Sequence, residues 1–260
     1  MNLRRLGLIL GVVALLLVVA LSLGCNGHGI LKPPDGGAAN GGGNPGNGTV
    51  PLGTMRQLQD GDTWTYNVTG TFVADAGGST PLTPAEGVLT YAAATQAPFA
   101  AMGAGFWAVD VPLVYGDTED ASHSMAALVQ QANGRIDLVG YTPVHGALAP
   151  EPMADGPLQG PDPATFPTMT TWEGSAEIAE YGTATLNITN HGVEDVTVPA
   201  GTFTTYHWTG TKSIRSFVIE FEGWGNPQLG NFVKLIATTP LYGGAITATI
   251  ELKNTSVPLT

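Results

Sequence analysis

Glu220 and Glu222 are the residues of this sequence best spaced for acid–base chemistry. They alternate with Phe221, so a strand places both carboxylates on one face, about 7 Å apart, a separation at which two carboxylates can act together in hydrolysis. With Asp110 as a further candidate acid or base, they would support a surface hydrolase acting on glycans or esters. A solvent-facing strand explains the two glutamates more simply, because Ile219 and Phe221 would then fill the core side. We therefore predict no catalytic residue and keep the hydrolase as the alternative.

The histidines of the chain do not have the spacing of a metal site. Five are present, at His28, His123, His145, His191 and His207. None belongs to a His-x-His or His-Glu-x-x-His pattern. His123 with Glu119 and Asp120 is the best local group of donors, but an acidic loop beside an exposed histidine explains it more simply. We predict no metal and no cofactor.

Sequence motifs that activate a nucleophile or hold a phosphate are absent. The chain has no Gly-x-Ser-x-Gly elbow, no Ser-x-x-Lys pair and no Gly-Lys-Ser/Thr phosphate loop. Its 260 residues carry 21 acidic and 9 basic side chains, a net charge of −12. Beyond the first 24 residues, Lys212 and Arg215 form the densest basic pair, which is too little to neutralise a phosphate backbone. We therefore predict no nucleic-acid partner.

Residues 1–24 have the pattern of a secretory signal peptide. Arg4 and Arg5 give a basic start, residues 6–23 are almost entirely apolar, and a small glycine precedes Cys25. The run LSLGC that ends at this cysteine resembles the lipobox of bacterial lipoproteins, which implies cleavage before Cys25 and a diacylglyceryl group on its thiol. The alternative is an uncleaved membrane-spanning anchor, because about 18 apolar residues almost span a bilayer.

Cys25 is the single cysteine, so the chain cannot form an internal disulfide. Two or more acyl chains on this residue would hold the mature chain at a membrane, since each buried methylene contributes about 0.8 kcal/mol. Asn26 stands where an aspartate would commonly signal retention at the inner membrane, which favours the outer membrane. We predict a cell-envelope location, at the outer membrane or the outer face of the cell membrane, with the lipid anchor at Cys25 as the membrane contact.

Residues 25–53 predict a flexible tether, because glycine, asparagine and proline dominate them and no apolar pattern is present. About 28 residues of such a chain span roughly 30 Å on average, which would hold a domain clear of the lipid headgroups. Residues 54–260 then form the folded domain. Within it, seven prolines at 142–170 indicate a long surface loop.

The domain is predicted to be all-β. Charged residues are only 12%, and there are 36 glycines and 19 prolines, a composition that favours many short strands over surface helices. Apolar and polar residues alternate from Trp64 to Val68 and from Ile246 to Leu252. A helix over 122–131 is the alternative to a strand there. Turns are predicted at 132–134, 190–192, 199–201 and 242–244. We predict an antiparallel meander that forms a sandwich or a curved half-barrel, with few short helices.

Two motifs resemble those of a loose set of uncharacterised bacterial envelope lipoproteins. The run GDTWTY at 61–66 resembles their G-x-x-W-x-Y opening, and VTVPAGTF at 196–203 is similar to their V-x-V-P-A-G-x-F hairpin. Residues 230–234 stand where their G-x-V-K strand start would follow, with one extra residue. The resemblance implies a β-rich secreted domain and no particular reaction.

The function we expect is a non-catalytic binding or scaffold module of the cell envelope. Its partner would be an envelope protein, or an apolar small molecule held in the concavity of the curved sheet. Four tryptophans could line such a cleft, namely Trp107, Trp172, Trp208 and Trp224.

Overall fold

The computed structural model describes residues 49–115, 118–141, 151–153, 155–178, 182–214, 217–241 and 243–259. Cys25, the signal peptide and most of the predicted tether lie outside these residues. Within them the regular structure is almost entirely strand, with two short 3₁₀ turns at Phe99–Met102 and Phe166–Thr168. The strands are β1 (Thr49–Val50), β2 (Thr63–Ala74), β3 (Ser79–Pro81), β4 (Ala85–Ala93), β5 (Gly105–Tyr115), β6 (Thr118–Gln130), β7 (Ile136–Tyr141), β8 (Glu151–Pro152), β9 (Leu158–Gln159), β10 (Thr171–Ile178), β11 (Gly182–Val198), β12 (Gly201–Ile214), β13 (Phe217–Asn226), β14 (Asn231–Leu241) and β15 (Gly244–Thr255).

All of these strands belong to one sheet. Its order is β10-β11-β12-β13-β14-β15-β2-β4-β5-β6-β7-β8, with β3 on β2, β9 on β7 and β1 on β12. The pairs are antiparallel except for β1 with β12. Strands next to each other in sequence are mostly neighbours in the sheet, so the sheet is a meander that curves into a nearly closed barrel. The predicted all-β fold is thus confirmed in its half-barrel form.

The two halves of the chain meet where β15 pairs with β2. The pairing runs from Gly244 opposite Ala74 to Thr255 opposite Trp64, which spans both strands along their whole length. The long connection between β7 and β10 therefore does not divide the domain into two sheets. One sheet encloses one large core.

The first long strand buries the face that its alternation predicts. Trp64, Tyr66 and Val68 are all buried. The Trp64 ring meets Trp107 edge to face with centroids 6.2 Å apart, and Tyr66 stacks on Phe232 at 4.5 Å. Burial raises the pKa of the Tyr66 phenol well above its ordinary value, and its hydroxyl donates to the Phe232 carbonyl at 3.1 Å. The aromatic opening of the domain is therefore a core anchor.

The VTVPAGTF run forms the hairpin between β11 and β12. Val198 pairs with Gly201, so Pro199 and Ala200 alone make the turn. Proline can stand here because the ladder ends at this point, and Gly201 takes a positive φ of 136° that a larger residue would adopt only with strain. Phe203, which follows, is fully buried. The motif is structural, as its residue types indicate.

Two local predictions differ from the structure. The predicted turn at 190–192 is wrong, because β11 continues from Gly182 to Val198 with a register shift between Asn190 and Gly192. The alternative helix over 122–131 is also wrong, because β6 continues as a strand to Gln130 and pairs with β5 from Thr118 to Leu128. In both cases cross-strand pairing outweighs the local sequence preference.

The ends of the predicted loop and tether pack against the sheet. In the described part of 142–170, the strands β8 and β9 pair with β7, and the Phe166 side chain is fully buried against Tyr206. In β1, Val50 is buried opposite Phe203. Thr49 and Val50, which fall within the predicted tether of residues 25–53, are therefore part of the sheet.

Candidate functional site

A row of chemically varied side chains crosses the outer face of the sheet. We call it the polar ladder: His207, Trp224, Lys234, Glu251 and Asn67. Each member is paired directly with the next across strands β12, β13, β14, β15 and β2. Paired residues on neighbouring strands lie about 5 Å apart, so the sheet itself fixes the spacing of the row.

The β-bulge in β11 places a second histidine beside the ladder. The register shift lies between Asn190 and Gly192, with Gly192 at φ 97° and its N–H donating to Asn190 Oδ1 at 2.9 Å. The extra residue, His191, therefore sits over the ladder, with its ring centroid 4.8 Å from that of His207. Its Nε2 is 2.8 Å from Thr209 Oγ1. The bulge that replaces the predicted turn is what brings the two histidines together.

His207 lies between two carboxylates. Its Nε2 is 2.8 Å from Glu222 Oε1, and its Nδ1 is 3.4 Å from Glu194 Oε1. The His207 ring also stacks on Trp224, with centroids 4.8 Å apart and planes 6° apart. Trp224 Nε1 donates to the same Glu194 oxygen. A protonated His207 could donate to both carboxylates at once, which ties β11, β12 and β13 into one network.

The other side of Trp224 is covered by a lysine. Lys234 Nζ lies 5.7 Å from the Trp224 ring centroid and 2.9 Å from Glu251 Oε1. Trp224 is consequently 9% exposed although it lies on the outer face. The ladder thus presents polar edges, an imidazole, an ammonium and carboxylates, rather than a free aromatic surface.

The structure places the two candidate catalytic glutamates on the outer face as expected. Ile219 and Phe221 are buried on the opposite face. Glu222 contacts His207, whereas Glu220 is exposed and lies opposite Thr211 and Thr238 in the next row. The side chain of Asp110 lies outside the described residues, as do those of Glu119, Asp120 and His123. Of the candidate carboxylates whose side chains the structure describes, Glu222 is therefore the one that contacts a histidine.

The tryptophans expected to line a cleft divide into two groups. Trp107 and Trp208 are fully buried in the core, and Trp172 packs partly buried against it. Trp224 belongs to the ladder. Among the residues described, no group of three or more histidine, cysteine, aspartate or glutamate side chains could hold a metal ion.

One buried cation lies on the inner face, and sequence reasoning assigned it no role. Lys212 of β12 is 2% exposed, opposite Leu186 and Ile219. The ladder was missed for another reason, because His207 and Trp224 are 17 positions apart and meet only through the register of β12 with β13. No local sequence signal indicates that meeting, because the register is a property of the two paired strands together.

Neither the comparison with protein families nor that with curated proteins finds a match. Among solved structures, a candidate exported protein with a YmcC-like fold from Bacteroides fragilis is 13% identical, covers 78% of this chain and 98% of its own, and has a TM-score of 0.36. A candidate lipoprotein from Parabacteroides distasonis is 11% identical over 76% of this chain and 96% of its own, with a TM-score of 0.40. The hypothetical lipoprotein YmcC from Escherichia coli is 13% identical over 76% and 91%, with a TM-score of 0.30. In the described part of this chain, no helix has the length and apolar character needed to cross a membrane.

Proposed function

We propose that this chain is a non-catalytic binding module of the cell envelope, anchored to the outer membrane or to the outer face of the cell membrane through acylated Cys25. The signal-peptide pattern and the cysteine that follows it support export and anchoring. The polar ladder is the surface that we propose to meet the partner. Its partner is an envelope protein with donor and basic groups on the matching surface.

The observation that carries this proposal is the direct pairing of the ladder across five strands. A sheet holds its side chains in fixed positions, so little conformational freedom is lost when a partner binds. Carboxylates outnumber cations around the ladder, with Glu194, Glu222 and Glu251 against Lys234. This excess favours a partner with basic groups, and it repels phosphate polymers.

A surface hydrolase is the second candidate, because His207 and Glu222 are in direct contact. In that case His207 and Glu222 would transfer a proton during cleavage of a glycan or an ester. Glu222→Gln would then abolish hydrolysis of a model glycan or ester by the purified chain, while Glu220→Gln would leave it unchanged. If the chain is a binding module, wild type and both variants show the same absence of turnover.

The test of the binding proposal is site-specific photo-cross-linking in intact cells. Thr69 lies two residues from Asn67 on the same face of β2 and is exposed, and Met102 lies far from the ladder in sequence and is 47% exposed, so both accept a cross-linking residue without loss of core packing. We expect an adduct of defined mass from position 69 and none from position 102. Equal adducts from the two positions would contradict a ladder-specific partner.

The ladder itself is tested by removing its negative charges. Glu222→Gln combined with Glu251→Gln is expected to reduce the adduct from position 69 at least about tenfold, because these carboxylates would face the basic groups of the partner. Glu173→Gln is the matched control, since Glu173 is exposed on β10, outside the ladder. An equal reduction in the control would show that charge in general, and not the ladder, attracts the partner.

A further inference from the structure

Lys212 lies on the inner face of β12 without a counter-charge. It pairs directly with Leu186 on β11 and with Ile219 on β13, and both of these side chains are buried. Lys212 is itself 2% exposed, and its Nζ has no hydrogen-bond partner among the residues that the structure describes. Burial lowers the pKa of this amine well below its ordinary value of 10.5. An unpaired amine in such surroundings is costly to the fold, so its presence calls for a function.

Some side chains on the inner face become smaller close to this lysine. Deeper in the sheet, Leu235, Ile250 and Val68 form one row of large side chains on neighbouring strands, and all three are buried. In the next row towards the Lys212 end, the directly paired residues are Ala237, Ala248 and Gly70. Phe221 of the same row covers Gly210, and Leu82 lies against Gly70, so the room that the small side chains leave on the concave face is confined to Ala237 and Ala248.

The row that contains Lys212 is partly open to solvent. One residue beyond the pair of Glu220 with Thr238, the sheet continues with Thr239, Ile246 and Phe72, which are paired across β14, β15 and β2. Thr239 is buried, whereas Ile246 and Phe72 face inward and are only partly buried, unlike Ile250 further along β15. On the other side, Ala176 of β10 pairs with the small Ala184 of β11. The concave face at this end is therefore mostly apolar and is accessible at its rim.

We propose that this end of the concave face binds an amphipathic molecule that has one apolar chain and one carboxylate, and that the carboxylate pairs with Lys212. The small side chains and Ile246 would contact the apolar chain, whose burial favours binding. The carboxylate would supply the counter-charge that the protein does not provide, and a charge pair is strong in an apolar site. This site lies on the opposite face of the sheet from the polar ladder and is independent of it.

The experiment uses laurate as the acid and dodecanol as its uncharged counterpart. The mature chain, residues 25–260 with Cys25→Ser, retains every described strand and carries no acyl chain of its own to compete. Calorimetry is expected to show that the chain binds laurate. Lys212→Met is expected to weaken the affinity for laurate at least about thirtyfold, because this is the loss typical when one partner of a buried charge pair is removed. Lys234→Met, which removes an outer-face lysine, is expected to leave laurate binding unchanged.

Two further results separate the lysine from general packing. Dodecanol is expected to bind the wild type and Lys212→Met with equal affinity, and more weakly than laurate binds the wild type. Repeating the laurate titration in buffers of different ionisation enthalpy is expected to show proton uptake on binding, because burial lowers the pKa of the Lys212 amine and an adjacent carboxylate raises it again. A folded Lys212→Met variant that binds laurate as tightly as the wild type, or a wild type that does not bind laurate, would overturn the proposal.

Discussion

In the part of the domain that the structure describes, each Lys and Arg side chain is matched to a carboxylate, with one exception. Arg56 pairs with Asp62, Arg135 with Asp137, Lys234 with Glu251 and Lys253 with Glu86. Among the described residues, Lys212 is the cation that has no such partner and also the most deeply buried one. The chain has 21 acidic and 9 basic residues, so Lys212 lacks a partner because of its position in the fold and not because carboxylates are scarce.

This residue predicts an unusual dependence of stability on pH. The unfolded chain holds the Lys212 proton up to about 10.5, whereas the folded chain releases it at lower pH because burial lowers the pKa. Between the two pKa values the unfolded state binds one more proton, so the contribution of Lys212 to the free energy of unfolding rises with pH. Lys212→Met removes this dependence and is expected to raise the free energy of unfolding at pH 7 by about 1–3 kcal/mol.

The measurement is urea denaturation of both proteins at pH 7 and pH 10. The advantage of Lys212→Met is expected to shrink as the pH approaches 10.5. Lys253→Met serves as the control, because Lys253 is half-exposed and its replacement should change stability little at either pH. A Lys212→Met variant that is less stable than the wild type at pH 7 would show that the amine is stabilised in the fold.

Strands were largely predictable from the sequence because each buries one face. The alternation around Trp64 and the glycine and proline of the 199–201 turn have local causes, and the structure contains both. The bulge at His191 was not predictable, because it depends on the register that β12 imposes on β11. The buried Phe166 was missed for the same reason, since its contact with Tyr206 bridges 40 positions of sequence. Candidate site residues that depend on register, such as His207 with Trp224, therefore required the structure.

Close packing between β12 and β13 gives a prediction at the scale of two strands. A Cβ at Gly223 would lie 1.9 Å from Cη2 of the buried Trp208, because the indole ring lies directly over this glycine. Gly223→Ala is expected to lower the free energy of unfolding by about 1–3 kcal/mol through overpacking. Trp208→Phe removes the ring atoms that would clash with this Cβ. It breaks no hydrogen bond of the indole, because Trp208 Nε1 has no partner within the described structure.

Denaturation of the two single variants and the double variant measures this contact. The double variant is expected to lose less stability than the two single variants lose together, by about 0.5–3 kcal/mol in the free energy of unfolding. Strict additivity would show that Gly223 matters for its backbone and not for the room that it leaves to Trp208.

At the scale of the whole molecule, one sheet joins residues from Thr49 to Thr255, and the predicted tether precedes it. The described strands thus form one structural unit, and the single cysteine, Cys25, is the residue at which we propose the membrane anchor. The polar ladder faces outward and the Lys212 end faces inward, so the two faces of the sheet offer separate surfaces.

The anchor gives the prediction at this scale. Growth with a radiolabelled fatty acid is expected to label the wild type, and Cys25→Ser is expected to abolish the label and to keep the leader uncleaved. Mass spectrometry of the wild type should find a chain that begins at residue 25 with its thiol acylated. A wild-type chain that begins at Met1 with a free thiol would support the uncleaved anchor instead.

The central position of β15 determines when this protein can fold. β15 lies between β14 and β2, so it is the joint through which the two halves of the sheet meet. It is also the last of the described strands in chain order, so a chain that ends before Gly244 lacks the strand that joins β14 to β2. Completion of the sheet is therefore expected only after this strand has been synthesised, and truncation before Gly244 should leave two half-sheets with open edges.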